Sequence, residues 1–283
     1  MARIAIIGGG SMGEALLSGI LRAGRDAKDV VVSERVPDRA DYLSRTYAVR
    51  AVSIEEAVEN SAFVILAVKP GDVESVVTQI ASAATQAERS SVEQVFVSVA
   101  AGVRTAFFES RLPAGTPVIR VMPNAPALVG AGISALAGGR FATAEQVAAA
   151  AELFTGVGQA LVVPESQIDA VTAVSGSGPA YFFLFVEALV DAAVAAGLSR
   201  AAATDLAVQT MAGSAAMLLD RREAATAGRP DTTAAELRAM VTSPGGTTAA
   251  GLRELERGGL RTAVANAVDA AKTRSEQLGI TSE

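Results

Sequence analysis

Ala2-Arg3-Ile4-Ala5-Ile6-Ile7-Gly8-Gly9-Gly10-Ser11-Met12-Gly13 is an apolar, largely β-branched run that ends in a G-x-G-x-x-G spacing. Glu14-Ala15-Leu16-Leu17-Ser18-Gly19-Ile20-Leu21 follows, with apolar residues at helical intervals. Strand, glycine turn and helix in this order are the context that a dinucleotide-binding βαβ unit requires. Gly8 permits the tight turn, Gly10 lets the backbone approach a pyrophosphate, and Gly13 lets the helix pack closely on the strand. Ser11 and Met12 complete the turn and are read with it as cofactor-binding.

Outward from this unit the alternation continues. Val30-Val31-Val32-Ser33 predicts a second strand, and residues 37–47 a helix with Pro37 at or near its first position. Residues 48–52, 63–68, 95–99 and 118–122 read as strands, the run at 63–68 as a buried parallel one. Residues 72–84 and 105–111 read as helices, and 132–136 and 159–163 as edge strands around a helix at 143–154. The expectation is an α/β Rossmann domain over 1–164 with a mostly parallel, doubly wound sheet. After Pro164 the strand signals stop. Residues 180–196, 200–219, 234–241, 248–257 and 260–278 read as helices, giving an all-α domain over 165–283. Residues 221–231, with Gly228 and Pro230, are expected to form a mobile loop.

Composition narrows the chemistry. The 283 residues suffice for two domains, and the net charge of −6 argues against a nucleic-acid partner. The chain has no cysteine and no histidine, which removes a zinc site built on them, a Ser-His-Asp triad and a Cys-His dyad; no metal is expected. Proton transfer is left to carboxylates, hydroxyls, lysine, water or the substrate. No signal peptide precedes the first strand, and residues 171–196, the most apolar stretch, are broken by Gly176, Pro179, Glu187 and Asp191. That stretch is expected to be a buried or interface helix rather than a membrane span, in a soluble, cytoplasmic protein.

In open α/β sheets ligands bind beyond the carboxyl ends of the strands. Those positions are Ser33-Glu34-Arg35, Ala67-Val68-Lys69-Pro70-Gly71, Ala100-Ala101-Gly102 and Pro123-Asn124. Lys69 reads either as a solvated loop charge or as a cofactor contact. Glu34 stands where an acidic side chain binds the ribose of NAD(H); Ser33, Arg35 and Arg39 would instead hold the 2′-phosphate of NADP(H). NADPH is preferred here, with NADH the alternative. Far downstream, Thr242-Ser243-Pro244-Gly245-Gly246-Thr247-Thr248 precedes a helix. Its two glycines and the helix dipole make an anion site, or plainly a loop with an N-cap.

Assembled, Gly8–Gly13, Ala67-Val68-Lys69-Pro70-Gly71, Met122-Pro123-Asn124, Val174-Ser175-Gly176-Ser177-Gly178-Pro179-Ala180-Tyr181 and Ser243–Thr248 resemble the pyrroline-5-carboxylate reductases. The resemblance spans essentially the whole chain, with the motifs in the family's order. It implies NAD(P)H-dependent reduction of 1-pyrroline-5-carboxylate to proline, the last step of proline biosynthesis. It also implies a homodimer, often assembled further into decamers, with a site between one subunit's cofactor domain and helices that include its partner's. On this resemblance Ser243, Gly245, Gly246 and Thr247 hold the substrate carboxylate, and Thr248 is the catalytic residue that hydrogen-bonds the ring nitrogen. Ser175 lies near the substrate, and Ser175–Pro179 also reads as a helix start with Pro179 at its first position. Gly8, Gly10, Ser11, Met12, Gly13, Ser33, Arg35, Ala67, Val68, Lys69, Pro70, Ala101, Gly102 and Asn124 form the expected cofactor set. A ring imine that arrives protonated needs no histidine, which suits the composition.

Two other classes share the scaffold. A β-hydroxyacid dehydrogenase relies on a lysine in the first long helix of its second domain, and residues 180–196 contain none. A non-catalytic dinucleotide-binding protein would keep the glycines at 8, 10 and 13 but has no need of an anion clamp. Glu187 and Asp191, one turn apart, read as interface polar groups rather than as a catalytic carboxylate pair.

Overall fold

The computed structural model describes residues 3–59, 61–86, 94–226 and 233–280. Packing divides them into two compact units: residues up to Pro179 together with those from Val268 onward, and Ala180–Ala267. The first unit runs β1 (Arg3–Ile7), α1 (Ser11–Arg22), β2 (Val30–Ser33), α2 (Pro37–Tyr47), β3 (Arg50–Ala51), α3 (Ile54–Val58), β4 (Ser61–Leu66), α4 (Val73–Gln86), β5 (Val95–Ser98) and α5 (Thr105–Glu109). It continues with β6 (Val118–Met122), β7 (Gly132–Gly138), α6 (Ala144–Phe154), β8 (Gly158–Val162) and α7 (Ile168–Val171). The strands form one eight-stranded sheet of order β3-β2-β1-β4-β5-β6-β7-β8.

All neighbours in the sheet are parallel except β6 and β7. The link between those two is too short for a crossover, so the chain must turn back. Because β7 is paired on both sides, of these two strands β8 alone lies at an edge; the expectation of two edge strands here is corrected in that respect. Side chains alternate as period two demands. Ile4 and Ile6 point to Leu16, Leu17 and Ile20 on one face, while Ala5 and Ile7 join Val77 and Ile80 on the other. Each large aliphatic buried this way stabilises by about 1.5–3 kcal/mol, and covering both faces is what a parallel sheet needs.

Several boundaries move. β4 ends at Leu66, so Ala67 and Val68 lie past the strand; the Ala67 N–H still donates to the Ile7 carbonyl at 2.8 Å. The short α3 was not expected. Its signal was present in Ser53-Ile54-Glu55-Glu56, where the Ser53 hydroxyl accepts the Glu56 N–H at 3.2 Å.

The second unit holds most of α8 (Gly178–Ala195), then α9 (Arg200–Thr226), α10 (Ala234–Met240), α11 (Thr247–Arg257) and the start of α12 (Leu260–Ile280). α9 runs through Thr226, which corrects the mobile loop expected at 221–231 as far as that residue; 227–232 lie outside the described residues. Val190, Ala203 and Ala207 make a small buried cluster between α8 and α9. Phe182, Phe183, Leu184 and Leu206 are instead exposed, Phe183 to 68%. Residues 171–196 are expected to be a buried or interface helix; among the described residues of the unit, no element covers these side chains.

Candidate active site

Strand order reverses about β1 and β4, so their carboxyl ends leave a crevice. A cleft of about 580 Å³ opens there, lined by Gly8, Gly10, Ser33, Arg35, Ala67, Val68 and Lys69 among the expected cofactor residues. Lys69 thus faces the cleft, although it is exposed. Val52, Ser53, Ile54, Glu55, Asp72, Ser75, Val76 and Gln79 also line it, with Ile7, Glu34 and Val36; sequence reading missed the first eight because they come from α3 and the two residues before it, from α4 and from the turn after Lys69, outside any motif.

The glycine turn fits a dinucleotide. Gly8 has φ +102°, and a Cβ there would lie 2.6 Å from the Ala67 carbonyl oxygen. A Cβ on Gly13 would lie 1.9 Å from the Gly8 oxygen. A Cβ on Gly10 would meet nothing within 4 Å, so that position opens onto the space a pyrophosphate needs. Gly10 is also the N-cap of α1, with no side-chain cap. The first N–H groups of the helix, those of Ser11 and Met12 included, and the positive end of its dipole thus remain for an anion.

Side chains hold this turn from outside. Glu34 accepts the Gly9 N–H at 2.7 Å and the Val36 N–H at 2.9 Å, while Arg39 Nε donates to the Gly9 carbonyl at 2.7 Å. Arg39 also pairs with Glu14, which accepts from the Tyr47 hydroxyl at 2.9 Å. These contacts bear on two residues read as candidate ligands. Both Glu34 oxygens bind backbone rather than standing free for a ribose. Arg39 binds the turn and Glu14 and is not among the residues that line the cleft. Arg35 remains, exposed at the cleft mouth and pairing with Asp72 at 3.2 Å.

Burial pushes the Glu14 carboxyl up, but hydrogen bonds from Arg39, Tyr47 and Tyr42, with the Arg39 charge, outweigh it and hold the group below its ordinary value. The same carboxylate, together with burial, raises the Tyr47 phenol. A carboxyl depressed in the folded state stabilises fully above its unfolded value, and that stabilisation is lost as pH falls through the folded one. Glu14→Gln should therefore lower the urea midpoint at neutral pH, and the gap to wild type should close in acid. A gap constant with pH would refute this.

The remaining expected residues lie outside the lining of that cleft. Gly102, at φ +79°, packs against α12, where a Cβ would lie 3.3 Å from Leu278 Cβ; Ala101 precedes it, exposed. Asn124 accepts the Ile133 N–H at 2.9 Å and so anchors the start of β7. Pro70 opens the turn that leads into α4. Ser175 donates to the Val171 carbonyl at 3.0 Å and stands in a π-helical turn, Thr172–Gly176, which joins α7 to α8. Ser175–Pro179 is thus less a new helix start than a wide turn inside a nearly continuous helix. Such turns often mark functional positions, and here the Met122 methyl packs under Gly176.

In the second unit, Gly245 has φ +68° and Gly246 is the N-cap of α11, with its N–H donating to the Ser243 carbonyl at 3.0 Å. No side chain caps this helix, and no acidic residue occupies its first turn. Ser243, Gly245, Thr247 and Thr248 are exposed. The loop does end in an N-cap, a glycine without a side chain, so the first N–H groups of α11 keep no side-chain acceptor.

A glycine turn at the switch point of a doubly wound sheet, followed by a helical half, defines a dinucleotide-dependent oxidoreductase of the Rossmann type. Comparison with known proteins narrows this. The family model described as pyrroline-5-carboxylate reductase dimerisation matches residues 165–278, and one described as NADP oxidoreductase, coenzyme F420-dependent, matches residues 3–102. The pyrroline-5-carboxylate reductase of Mycobacterium tuberculosis is 67% identical over 291 residues, covering 100% of this chain and 99% of its own. That of Corynebacterium melassecola is 43% identical over 99% of each chain. The solved structure of the Coxiella burnetii reductase superposes with TM-score 0.88 at 33% identity, covering 98% of both chains. The chain belongs to the pyrroline-5-carboxylate reductase family.

Proposed function

We propose that the chain reduces 1-pyrroline-5-carboxylate to L-proline at the expense of NADPH, closing proline biosynthesis. Full-length likeness to proteins of that name carries this reading, and the uncapped, acid-free start of α11 gives it a chemical basis. The glycine turn at Gly8–Gly13 and the cleft at the β1/β4 switch point would hold the reduced dinucleotide, which when bound would supply hydride for the imine carbon. The chain's own residues orient and screen. Backbone N–H groups from Gly245 to Thr248, with the Ser243 and Thr247 hydroxyls, hold the carboxylate at the positive end of α11. The Thr248 hydroxyl addresses the ring nitrogen, which arrives protonated, so that no side chain has to be a strong acid. Ser175 lines the substrate from the π turn.

The preference for NADPH rests on Ser33 and Arg35 at the end of β2, Glu34 being turned to the backbone. A related structure, from Plasmodium falciparum, is described with NADP bound. Comparing kcat/KM for NADPH and NADH tests it, and a strong NADH preference would refute it. We further propose that residues 165–283 form the dimerisation domain and that a second copy covers the apolar side chains of α8 and α9, with decamers as a higher assembly. The helix from Glu165 to Ala195 is long and apolar enough to cross a membrane, yet all of it falls within the dimerisation match. A soluble, cytoplasmic homo-oligomer without metal or nucleic acid follows from that reading.

Oxidation of NADPH by pyrroline-5-carboxylate on the purified chain is the direct assay, and no turnover overturns the proposal. Thr248→Ala should lower kcat/KM for the imine about tenfold, as loss of a hydrogen bond worth about 1.5 kcal/mol requires. The KM for NADPH should stay unchanged. Wild-type kinetics would remove Thr248 from the mechanism.

A further inference from the structure

The mouth of the dinucleotide cleft is crossed by one ion pair. Arg35, two residues beyond β2, reaches Asp72, six residues beyond β4, with Nη1 and Oδ1 3.2 Å apart. Both line the cleft. The arginine side chain is exposed to 79% and the aspartate to 32%, so the carboxylate sits lower in the wall and the guanidinium swings over it. Of the neighbouring charges, Glu34 holds two backbone N–H groups and Arg39 holds Gly9 and Glu14, while Lys69 and Glu55 also line the cleft. Arg35 is then the guanidinium left for a phosphate at the adenosine end of the cleft, and Asp72 is its standing partner.

We propose that Asp72 is a specificity-determining residue that limits the preference for NADPH over NADH by competing with the 2′-phosphate for Arg35. A phosphate dianion must displace the carboxylate from the guanidinium and then lie beside it, like charge against like charge. A ribose with a free 2′-hydroxyl leaves the pair intact and meets no such cost. The charge of Asp72 therefore acts against the phosphorylated cofactor alone. The pair is solvent-exposed, so the penalty is moderate and is screened by salt. This inference rests on the reading that Arg35 takes the 2′-phosphate.

The test is calorimetric titration of NADPH and NADH into wild type, Asp72→Asn, Asp72→Glu and Arg35→Ala, at low and high salt. In Asp72→Asn the Kd for NADPH should fall about fivefold at low salt, the gain expected for releasing one exposed ion pair. It should fall less at 0.5 M salt, where the Debye length is about 4 Å and exposed charges are screened, and the Kd for NADH should hold. Asp72→Glu, which keeps the charge, should stay close to wild type. Equal changes for the two cofactors in Asp72→Asn, or none, would overturn the proposal. Arg35→Ala separates it from the underlying reading. If that variant weakens NADPH selectively while Asp72→Asn does nothing, the phosphate reading stands and the role of Asp72 falls. If Arg35→Ala weakens both cofactors alike, the phosphate reading falls and the proposal with it.

Discussion

Gly13→Ala is expected to weaken productive dinucleotide binding severely. The added Cβ would lie 1.9 Å from the Gly8 carbonyl oxygen and 3.1 Å from its carbon, both backbone atoms of the turn. No rotamer relieves such a contact, because a Cβ has none. Either α1 withdraws from β1 or the turn moves away from α1. Withdrawal disturbs the packing of Leu16, Leu17 and Ile20 against the sheet, and overpacking of this kind costs about 1–3 kcal/mol. Movement of the turn pulls on Gly9, which Glu34 holds by its N–H and Arg39 by its carbonyl. In both cases the first N–H groups of α1 miss the pyrophosphate. A misplacement of about 1 Å can cost on the order of 10²-fold in rate, so kcat/KM for NADPH should drop by about that factor. Gly10→Ala is the control. Its Cβ meets nothing within 4 Å of protein, so the variant should keep wild-type stability and lose only cofactor affinity. A Gly13→Ala enzyme with unchanged affinity would mean that the turn is set by something other than this approach.

The same residues explain why this half of the chain was legible. A turn that tolerates no Cβ at two positions must write glycine there, and a sheet covered on both faces must write uninterrupted β-branched runs. β2, α2 and β6 accordingly lie where the sequence places them. The site was less legible than the fold. Motif spacing identifies Gly8, Gly10 and Lys69, which do line the cleft. It cannot say how a charged side chain near a strand end is used. Glu34 and Arg39 both stand where a ribose or phosphate ligand belongs, yet each is bonded to the backbone of the turn. Pairings between residues 25 or more apart in sequence leave no local pattern. Asp72 and Gln79 were invisible for the same reason: they reach the cleft from beyond the strand ends. The π turn at Thr172–Gly176 escaped because glycine and proline in succession read as a helix boundary, and only hydrogen bonding such as Ser177 N–H to the Thr172 carbonyl, at 2.8 Å, reveals a wide turn.

Arg120→Met is expected to destabilise the first unit by about 3 kcal/mol, the lower end of what removing one partner of a buried ion pair costs. Arg120 occupies a mid-strand position of β6 that alternation assigns to the interior, and it is 3% exposed. Its guanidinium lies 3.5 Å from Glu165 and 3.8 Å from Asp169. Glu165 also accepts the Thr105 N–H at 2.8 Å and the Thr105 hydroxyl at 2.7 Å, so it caps α5. Asp169 accepts the Ser275 hydroxyl of α12 at 2.7 Å. One arginine therefore neutralises two carboxylates that tie the segment after β8, the start of α5 and the end of α12 to the sheet. This is why residues 165–179 and those from Val268 pack with the Rossmann unit, although strand signals stop at Pro164. Methionine keeps the bulk of the stem and removes the charge, leaving the Glu165 and Asp169 carboxylates without their shared cation. The long pair distances and the partial exposure of Glu165 favour the lower end of the range. A triple variant, Arg120→Met with Glu165→Gln and Asp169→Asn, removes all three charges and keeps the hydrogen-bonding groups. It should recover most of the loss, because replacing a whole buried charge cluster is often neutral. Urea denaturation of the three proteins decides it. If the triple variant is no more stable than Arg120→Met, the loss comes from packing around the guanidinium rather than from stranded charge.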